Sequence, residues 1–407
     1  MTKLSGNLVV GQSGGPTVVI NASLIGVVKE ALKHPEIEKI YGAKNGVLGI
    51  LNEDFVDLGN QTAETLDLVA KTPSSGLGSC RFKPKKEDCE KMFKILEKQN
   101  VRYFFYIGGN DSAESAHIIN EIAREKNYEL RIFHVPKTVD NDLMVTDHCP
   151  GYGSAARYVA LSFMGNNLDN RALPGIKIDV CMGRHAGWLT AASMLGKKYE
   201  DDGPHLVYLP ERPVTLNKIL DDIDKVYSKL GRCLISISEG VKDADTGEEL
   251  VKSIAKDVEG DAFGNIQLSG TGALGDFMVS EIKKNLGPKY SEKALRVRAD
   301  TLGYAQRCFP AVASEVDLRE AMMVGRDAVK YAMKGDIDGS VAINRIGNGA
   351  DYAVETKLAK LKDVAAATKH LPKEFINKDG NGLTEEFVKY ALPLVGHLPE
   401  IGRLDGI

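Results

Sequence analysis

Short runs of β-branched or aromatic residues, each followed at once by a glycine-rich or polar turn, are the feature that most constrains the fold of this 407-residue chain. Four such runs, at 8–10, 103–107, 132–135 and 176–181, lead into the turns GQSGGP, GGNDS, PKTVDND and MGRHAGWLT. Helix-like periodicity follows three of these turns. Strands that alternate with helices predict a parallel sheet covered on both faces. Because ligands bind beyond the carboxyl ends of such strands, we expect the four turns to line a site.

Composition limits the class of protein. Apolar residues make up 43% and charged residues 27% of the chain, as in ordinary globular proteins, and the length favours two packed domains. The net charge of −4 opposes binding to nucleic acid. We find no apolar run long enough for a signal peptide or a membrane span, and the six cysteines are widely scattered. These features predict a cytoplasmic enzyme with no membrane partner.

The first two turns have the composition of phosphate-binding turns. Ser13, Gly14 and Gly15 follow a strand and precede a helix, so their N–H groups and the helix N-terminus could face an anion, although an ordinary turn would look the same. The GGNDS turn adds Asp111, whose negative charge would repel a bound phosphate. A carboxylate at this position is therefore expected only if a cation binds between the two charges or if the site excludes a longer ligand. Asp111 could also simply cap the helix.

The third turn, PKTVDND, carries more charge than a turn requires. Asp140 and Asp142 lie two residues apart, and Lys137 precedes them. A carboxylate can take a proton from a hydroxyl while a lysine neutralises phosphoryl charge, which is the division of labour that phosphoryl transfer needs. A turn rich in Asp and Asn is the structural alternative. The chain has no GxxxxGK[ST] motif, which argues against a P-loop enzyme.

Candidate residues for binding a sugar phosphate follow later strands. Arg184 lies in the fourth turn, where its guanidinium group could clamp a phosphate. Glu239 follows a strand at 234–237 and could accept hydrogen bonds from sugar hydroxyls. Arg298, Tyr304 and Arg307 lie within ten residues of one another, a grouping that suits either a sugar phosphate or a salt bridge at an interface.

In their order and spacing these segments resemble the phosphofructokinase superfamily, specifically its pyrophosphate-dependent branch. The resemblance depends on seven blocks that span about three quarters of the chain: SGG (13–15), GSCRF (78–82), GGND (108–111), PKTVDND (136–142), MGR (182–184), SEG (238–240) and R…LGYAQR (298–307). It implies an α/β fold of two doubly wound domains with mainly parallel sheets and the active site between them. The implied donor domain is 1–151 plus about 306–356, and the sugar-phosphate domain is 152–305 plus about 357–407.

The resemblance implies transfer of a phosphoryl group from pyrophosphate to the 1-hydroxyl of fructose 6-phosphate. Asp140 would be the general base, with Lys137 and Asp111 as further catalytic residues. Donor-binding residues would be Gly14, Gly15, Arg81 and Gly109. Substrate-binding residues would be Thr138, Val139, Asp142, Met182, Gly183, Arg184, Glu239, Arg298, Tyr304 and Arg307. Because the family often supplies the residue matching Arg298 from an adjacent subunit, a homodimer or homotetramer is implied.

Two positions indicate the donor. ATP-using relatives have glycine where Asp111 and Lys137 stand here. A carboxylate about 4 Å from a nucleotide's α-phosphate would cost several kcal/mol at an effective dielectric constant near 20. Lys137 would then stabilise the departing phosphate. The family's Mg²⁺ is implied as cofactor, although Asn110 stands where many relatives have a metal-binding Asp; an amide oxygen can still bind Mg²⁺, but it carries no charge.

Alternative functions remain at this point. An ATP-dependent 6-phosphofructokinase and a non-catalytic regulatory subunit share the fold, although the second has no need for Asp140. Gly270, Gly272 and Gly275 match the GxGxxG pattern of dinucleotide-binding enzymes, but the following segment, PKYSEKALRVRAD, is not strand-like. The cluster Lys83, Lys85 and Lys86 is interpreted as a solvated face, and the acidic segment 243–264 as an exposed excursion.

Overall fold

The computed structural model describes residues 4–251, 272–290, 295–365 and 367–404. The strands are β1 (Gly6–Gln12), β2 (Ile37–Ala43), β3 (Phe55–Asp57), β4 (Val101–Gly108), β5 (Arg131–Pro136), β6 (Ile176–Cys181), β7 (Leu206–Tyr208), β8 (Cys233–Ser238), β9 (Val297–Thr301), β10 (Asp338–Arg345) and β11 (Val354–Ala359). The helices are α1 (Ile20–Ala31), α2 (Val47–Leu51), α3 (Ala63–Ala70), α4 (Lys86–Lys98), α5 (Asn110–Glu125), α6 (Tyr152–Ala172), α7 (Trp188–Ala192), α8 (Leu216–Leu230), α9 (Ala273–Tyr290), α10 (Ala305–Cys308), α11 (Glu315–Lys334), α12 (Leu361–Ala365) and α13 (Glu385–Val395).

The larger sheet has seven strands in the order β11-β10-β5-β4-β1-β2-β3. Its five inner strands are parallel, and the two edge strands, β3 and β11, are antiparallel to their neighbours. The chain leaves β1 toward β2 on one side and later returns to β4 on the other. This reversal opens a crevice at the carboxyl ends of β1 and β4, where ligands bind in folds of this type.

The smaller sheet has four parallel strands in the order β7-β8-β6-β9. Every residue of β7 (LVY) and β8 (CLISIS) is buried, as expected of parallel strands covered on both faces, and these strands are apolar except for two small serines in β8. β9 forms one edge and alternates between inward and outward residues. The two sheets together confirm the predicted α/β class with mainly parallel strands.

Close helix packing stabilises the larger sheet. α1 crosses α11 at Gly26 and Gly325, where a Cβ on Gly26 would lie 2.3 Å from the carbonyl oxygen of Met322. No larger residue fits at this crossing, so the backbones meet directly and cover the apolar core on β1 and β4.

The five strands predicted above, at 8–10, 103–107, 132–135, 176–181 and 234–237, are present; β6 has the predicted bounds, and the other four are longer by a few residues. The segment PKYSEKALRVRAD, interpreted as not strand-like where a dinucleotide-binding fold needs its second strand, does lead into a strand: β9 (Val297–Thr301) begins within it and ends one residue beyond it. β2, β3 and β11 were not predicted; β3 is three residues long, and β2 and β11 carry exposed polar residues that dilute their apolar pattern. Within the acidic excursion, 252–264 lies outside the described residues, as does Gly270. No described helix has the length and apolar character needed to cross a membrane.

Candidate active site

A cavity of about 500 Å³ lies at the carboxyl ends of β1, β4 and β5. It is the place where the first three predicted turns meet. The lining residues are Ser13, Gly14, Gly15, Cys80, Arg81, Phe82, Lys83, Gly109, Asn110, Asp111, Ser112, Lys137, Thr138, Asp140 and Asp142. Ten of the predicted site residues are among them, although they come from four separate stretches of the chain.

The first turn differs from the sequence-based expectation. α1 begins only at Ile20, so no helix N-terminus follows directly on Gly15. The N–H of Ser13 donates to Ile107 O (2.9 Å), and that of Gly14 donates to Cys80 O (3.4 Å). Gly14 has a φ of 73°, a conformation that favours glycine and turns the backbone toward the cavity.

The second turn supplies the helix N-terminus instead. α5 begins at Asn110, and its first turn, including Asp111 and Ser112, lines the cavity. The first N–H groups of a helix have no partner within the helix and carry partial positive charge, so they attract anions. Gly109 occupies the N-cap position and makes no side-chain cap, so the capping interpretation of Asp111 was wrong.

Asp111 lies at the mouth of the cavity and forms an ion pair. Its Oδ1 is 3.0 Å from Lys83 Nζ, and Glu114 Oε2 lies 2.9 Å from the same ammonium group. Lys83 is exposed, as its interpretation as part of a solvated face predicts, but it also lines the cavity, and neither its spacing nor its neighbours in sequence indicate these partners. The Asp111 side chain is 63% exposed, so water and Lys83 both weaken its field more than the sequence-based estimate assumed.

Lys137 is the buried cation of the site. Its Nζ donates to Gly15 O (2.7 Å), which ties the third turn to the first, and its N–H donates to Gly108 O (2.9 Å). Burial lowers the pKa of Lys137 to about 8, and the nearby Arg307 acts in the same direction, whereas Asp140 opposes the shift. The ammonium group therefore remains mostly protonated at neutral pH.

Asp140 and Asp142 lie beside each other in the same turn. The N–H of Asp140 donates to Thr138 Oγ1 (3.1 Å), which begins a tight turn that continues through Asn141 at a φ of 55°. Burial raises the pKa of Asp140, although Arg307 and Lys137 oppose the shift. Burial also raises the pKa of Asp142 to about 6, and the neighbouring Asp140 adds to it. A carboxylate with a raised pKa is a better proton acceptor.

Arg307 connects the smaller sheet with the donor cavity. It follows β9, and its guanidinium carbon would lie 3.3 Å from a Cβ on Gly15, so a larger residue there would displace the guanidinium group by a few tenths of an ångström. The guanidinium also lies 4.8 Å from the centre of the Tyr304 ring. Its Nε is buried and has no hydrogen-bond partner among the described residues. Burial lowers the pKa of Arg307, yet the group remains a cation at any physiological pH.

The fourth turn is held against the end of β8. The N–H of Gly183 donates to Glu239 Oε1 (3.4 Å), and a Cβ on Gly240 would lie 2.0 Å from the Arg184 carbonyl oxygen. Arg184 also influences the pKa of Asp140, which places its charge near the third turn. The turn therefore faces the same region as the donor cavity.

The remaining predicted residues lie in three kinds of surroundings. Val139 and Met182 are buried in one apolar cluster, which leaves their backbones as the groups that can contact a ligand. Tyr304 is 46% exposed beside Arg307. Arg298 is exposed on the edge strand β9 and does not line the cavity.

The cavity has the chemistry that a magnesium ion requires. Asn110 Oδ1 is buried and lacks a hydrogen-bond partner among the described residues. The carboxylates of Asp140 and Asp142 add hard oxygen atoms. In the described part of the chain no group of three or more His, Cys, Asp or Glu side chains could hold a metal ion. Mg²⁺ commonly needs only one or two protein ligands, because water and substrate phosphates complete its coordination.

Comparisons with known proteins agree with this geometry. The sequence profile of the family described as Phosphofructokinase matches residues 7–332. A pyrophosphate–fructose 6-phosphate 1-phosphotransferase from Rhodospirillum rubrum is 52% identical over 400 residues, which cover 98% of this chain and 96% of that protein. The enzyme of the same name from Xanthomonas campestris is 38% identical, with 99% and 95% covered. The crystal structure of a pyrophosphate-dependent phosphofructokinase from Marinobacter aquaeolei superposes with a TM-score of 0.83 at 31% identity, over 99% of this chain and 94% of that one.

Proposed function

The chain belongs to the phosphofructokinase family, and from that premise we propose that it transfers a phosphoryl group from pyrophosphate to the 1-hydroxyl of fructose 6-phosphate. The products are fructose 1,6-bisphosphate and phosphate. The observation that carries the proposal is that the Asp140 carboxylate and the buried Lys137 ammonium group line one cavity, beside the N-terminus of α5. A base, a buried cation and a helix N-terminus together suit a short, highly charged donor.

In this mechanism Asp140 acts as the general base. It accepts the proton of the 1-hydroxyl while that oxygen attacks the nearer phosphorus of pyrophosphate. The raised pKa of Asp140 improves it as a proton acceptor, and the positive charges of Arg307 and Lys137 favour its ionised form. We propose that Thr138 and Asp142 hold the neighbouring part of the substrate.

Lys137 stabilises the leaving group. As the bond between the transferred phosphorus and the bridging oxygen breaks, the departing phosphate gains negative charge. The Lys137 ammonium group is already desolvated and held against the Ser13–Gly15 turn, so its charge acts at full strength with little reorganisation. Arg81, which lines the same cavity, is proposed to contact the transferred phosphoryl group, and Gly14, Gly15 and Gly109 to admit the donor close to the backbone.

The sugar phosphate is proposed to bind between the two sheets. Arg184 and Arg307 supply positive charge from the side of the smaller sheet, and Glu239 would accept hydrogen bonds from sugar hydroxyls. Gly183 and Met182 would shape this part of the site, and Tyr304 would form its wall. Exposed Arg298 on edge strand β9 supports the proposal that it completes the site of an adjacent subunit in a homodimer or homotetramer.

Mg²⁺ is the proposed cofactor. Asn110 and Asp142 would hold it, directly or through water, since both offer oxygen atoms to the cavity. When bound, the ion would neutralise charge on the two phosphoryl groups of the donor. We propose further that the reaction is reversible and serves both glycolysis and gluconeogenesis in the cytoplasm.

The decisive experiment compares pyrophosphate with ATP as donor for fructose 6-phosphate in the presence of MgCl₂, and measures fructose 1,6-bisphosphate. Pyrophosphate should support the faster reaction. Asp140→Asn should lower turnover by about 10²–10⁴, the usual contribution of a general base. Asp67→Asn, the same change on an exposed side chain of α3, is the control and should leave turnover unchanged. Faster turnover with ATP would refute the donor, and near-normal turnover of Asp140→Asn would refute the base.

A further inference from the structure

The C-terminal part of the chain forms hydrogen bonds to the turn that carries Asp140, through residues that do not line the cavity. Lys369, in the segment after α12, and Tyr390, on α13, bond to this turn, and Ile343 and Arg345 on β10 add further hydrogen bonds to it. Lys369 and Tyr390 lie beyond the 7–332 span that the family profile matches. Neither was predicted from the sequence as part of the site. We name residues 140–147 the catalytic turn.

Asn141 is the centre of this arrangement, because it lies between the two carboxylates of the site. Its side chain is completely buried, and its backbone has a φ of 55°. The amide oxygen accepts the N–H of Cys149 (2.9 Å), so the amide nitrogen must face the other way, where it donates to the hydroxyl of Tyr390 (3.0 Å). Because Asn141 is the direct chain neighbour of both carboxylates, a rotation of its backbone would redirect Asp140 and Asp142.

Tyr390 binds the catalytic turn at two points. Its hydroxyl accepts from Asn141 and donates to Asp147 O (2.9 Å), so both hydrogen-bonding roles of the oxygen are used. The ring is packed against Trp188, at 5.4 Å between centres, and the Arg345 guanidinium lies 4.5 Å from the ring centre. Burial keeps the pKa of Tyr390 well above its ordinary value, so the hydroxyl stays protonated while the enzyme works.

Lys369 binds the same turn on a second side. Its backbone N–H donates to Asp142 O (2.8 Å), and its ammonium group donates to Thr146 O (3.1 Å) and Asp147 O (2.7 Å). Trp188 Nε1 in turn donates to Lys369 O (3.1 Å), which fixes the segment. Backbone groups at both ends of the catalytic turn are thus bonded to the C-terminal segment.

We propose that Tyr390 and Lys369 are positioning residues that hold the catalytic turn so that Asp140 and Asp142 point into the cavity. This inference rests on the proposed function for the role of Asp140. Neither residue lines the cavity, so each acts through the turn and not on the substrate. Small displacements of a base relative to its substrate can cost 10²-fold in rate, which makes such support necessary.

The test is Tyr390→Phe in the full-length enzyme, which removes one oxygen atom and keeps the packed ring. We expect kcat to fall between about tenfold and 100-fold, while the KM values for fructose 6-phosphate and the donor change less than about twofold. Tyr331→Phe is the matched control, because the Tyr331 hydroxyl also bonds a backbone carbonyl, that of Thr356 (3.0 Å) on the edge strand β11. Its kcat should equal that of the wild type. Unchanged kcat in Tyr390→Phe, or an equal loss in the control, would overturn the proposal.

A double-mutant cycle separates positioning from general destabilisation. If Tyr390 acts through Asn141, then Tyr390→Phe combined with Asn141→Ser should be no slower than Asn141→Ser alone. If the separate losses in kcat multiply in the double variant, Tyr390 does not act through Asn141. If Tyr390→Phe does not fold, Lys369→Met, which keeps the aliphatic stem, should show the same fall in kcat at constant KM, and a normal kcat there would also overturn the proposal.

Each rate is expressed relative to the wild type, measured with whichever donor the wild type uses faster. A wild type that prefers ATP therefore refutes the proposed donor and leaves the ratio that tests Tyr390 intact.

Discussion

Replacing Asp111 tests how the protein discriminates between donors. Were the carboxylate in a medium of effective dielectric constant near 20, a phosphate charge 4 Å away would be repelled by about 4 kcal/mol, or roughly a thousandfold. The side chain is instead 63% exposed and paired with Lys83 at 3.0 Å. With the dielectric constant of water the same repulsion is about 1 kcal/mol. We therefore expect Asp111→Asn to raise the ratio of kcat/KM for ATP to that for pyrophosphate only about fivefold.

The assay reports that ratio at low and high ionic strength. An exposed charge is screened within about 3 Å in 1 M salt, so the fivefold change should disappear there. Asp111→Gly removes the side-chain volume as well as the charge. If the donor ratio changes more in Asp111→Gly than in Asp111→Asn, the difference measures how much the volume of the side chain excludes ATP. Combination with Lys137→Gly should shift the ratio further, because the Lys137 side chain fills buried space against Gly15.

Glu114→Gln is the matched control, since Glu114 binds the same Lys83 ammonium group but does not line the cavity. Its donor ratio should stay at the wild-type value. An equal shift in the control would mean that release of Lys83, and not the charge of Asp111, changes the ratio. An unaltered ratio in both Asp111 variants would refute electrostatic exclusion, and a thousandfold shift would refute the argument from exposure.

Two further predictions concern pH. Because burial lowers the pKa of Lys137 to about 8, kcat/KM for pyrophosphate should fall tenfold per pH unit above about pH 8. In Lys137→Arg, even if it is slower, kcat/KM should not fall in this alkaline range. If it falls as in the wild type, the loss of activity is caused by the titration of another group. His148 is buried between the carboxylates of Asp147 (2.8 Å) and Glu320 (2.6 Å), with Tyr352 beside Glu320 and Arg345 beside Asp147. Burial itself opposes the charged form of His148, but the two carboxylates raise its pKa in the folded protein. Protonated His148 therefore stabilises the fold fully below the pKa of an unfolded histidine, near 6.5. This contribution to stability is lost as the pH rises through the pKa of His148 in the folded protein. His148→Gln should lower the free energy of unfolding by about 3–5 kcal/mol at pH 6 and by less at pH 9, as measured by urea denaturation. A loss of stability that does not depend on pH would mean that His148 is neutral in the folded protein.

Much of the site was predictable because its parts are local. A strand, its turn and the following helix occupy neighbouring residues, so the PKTVDND segment could be placed at a strand end, and its carboxylates beside its lysine, from spacing. Parallel sheets then bring such turns to one edge whatever the rest of the chain does. The cavity that unites Gly14, Asn110 and Asp140 follows from this rule.

Other features depend on contacts between residues far apart in the chain. Arg307 packs on Gly15 and Tyr390 bonds to Asn141, across about 290 and 249 residues, and no local pattern encodes either distance. The same is true of Lys83, whose partners lie on α5. Local sequence thus specified the reactive groups and the edge of the sheet on which they lie. Packing between the two sheets and the C-terminal helix specified their exposure, their pKa values and their support, because burial and charge proximity are properties of the assembled molecule.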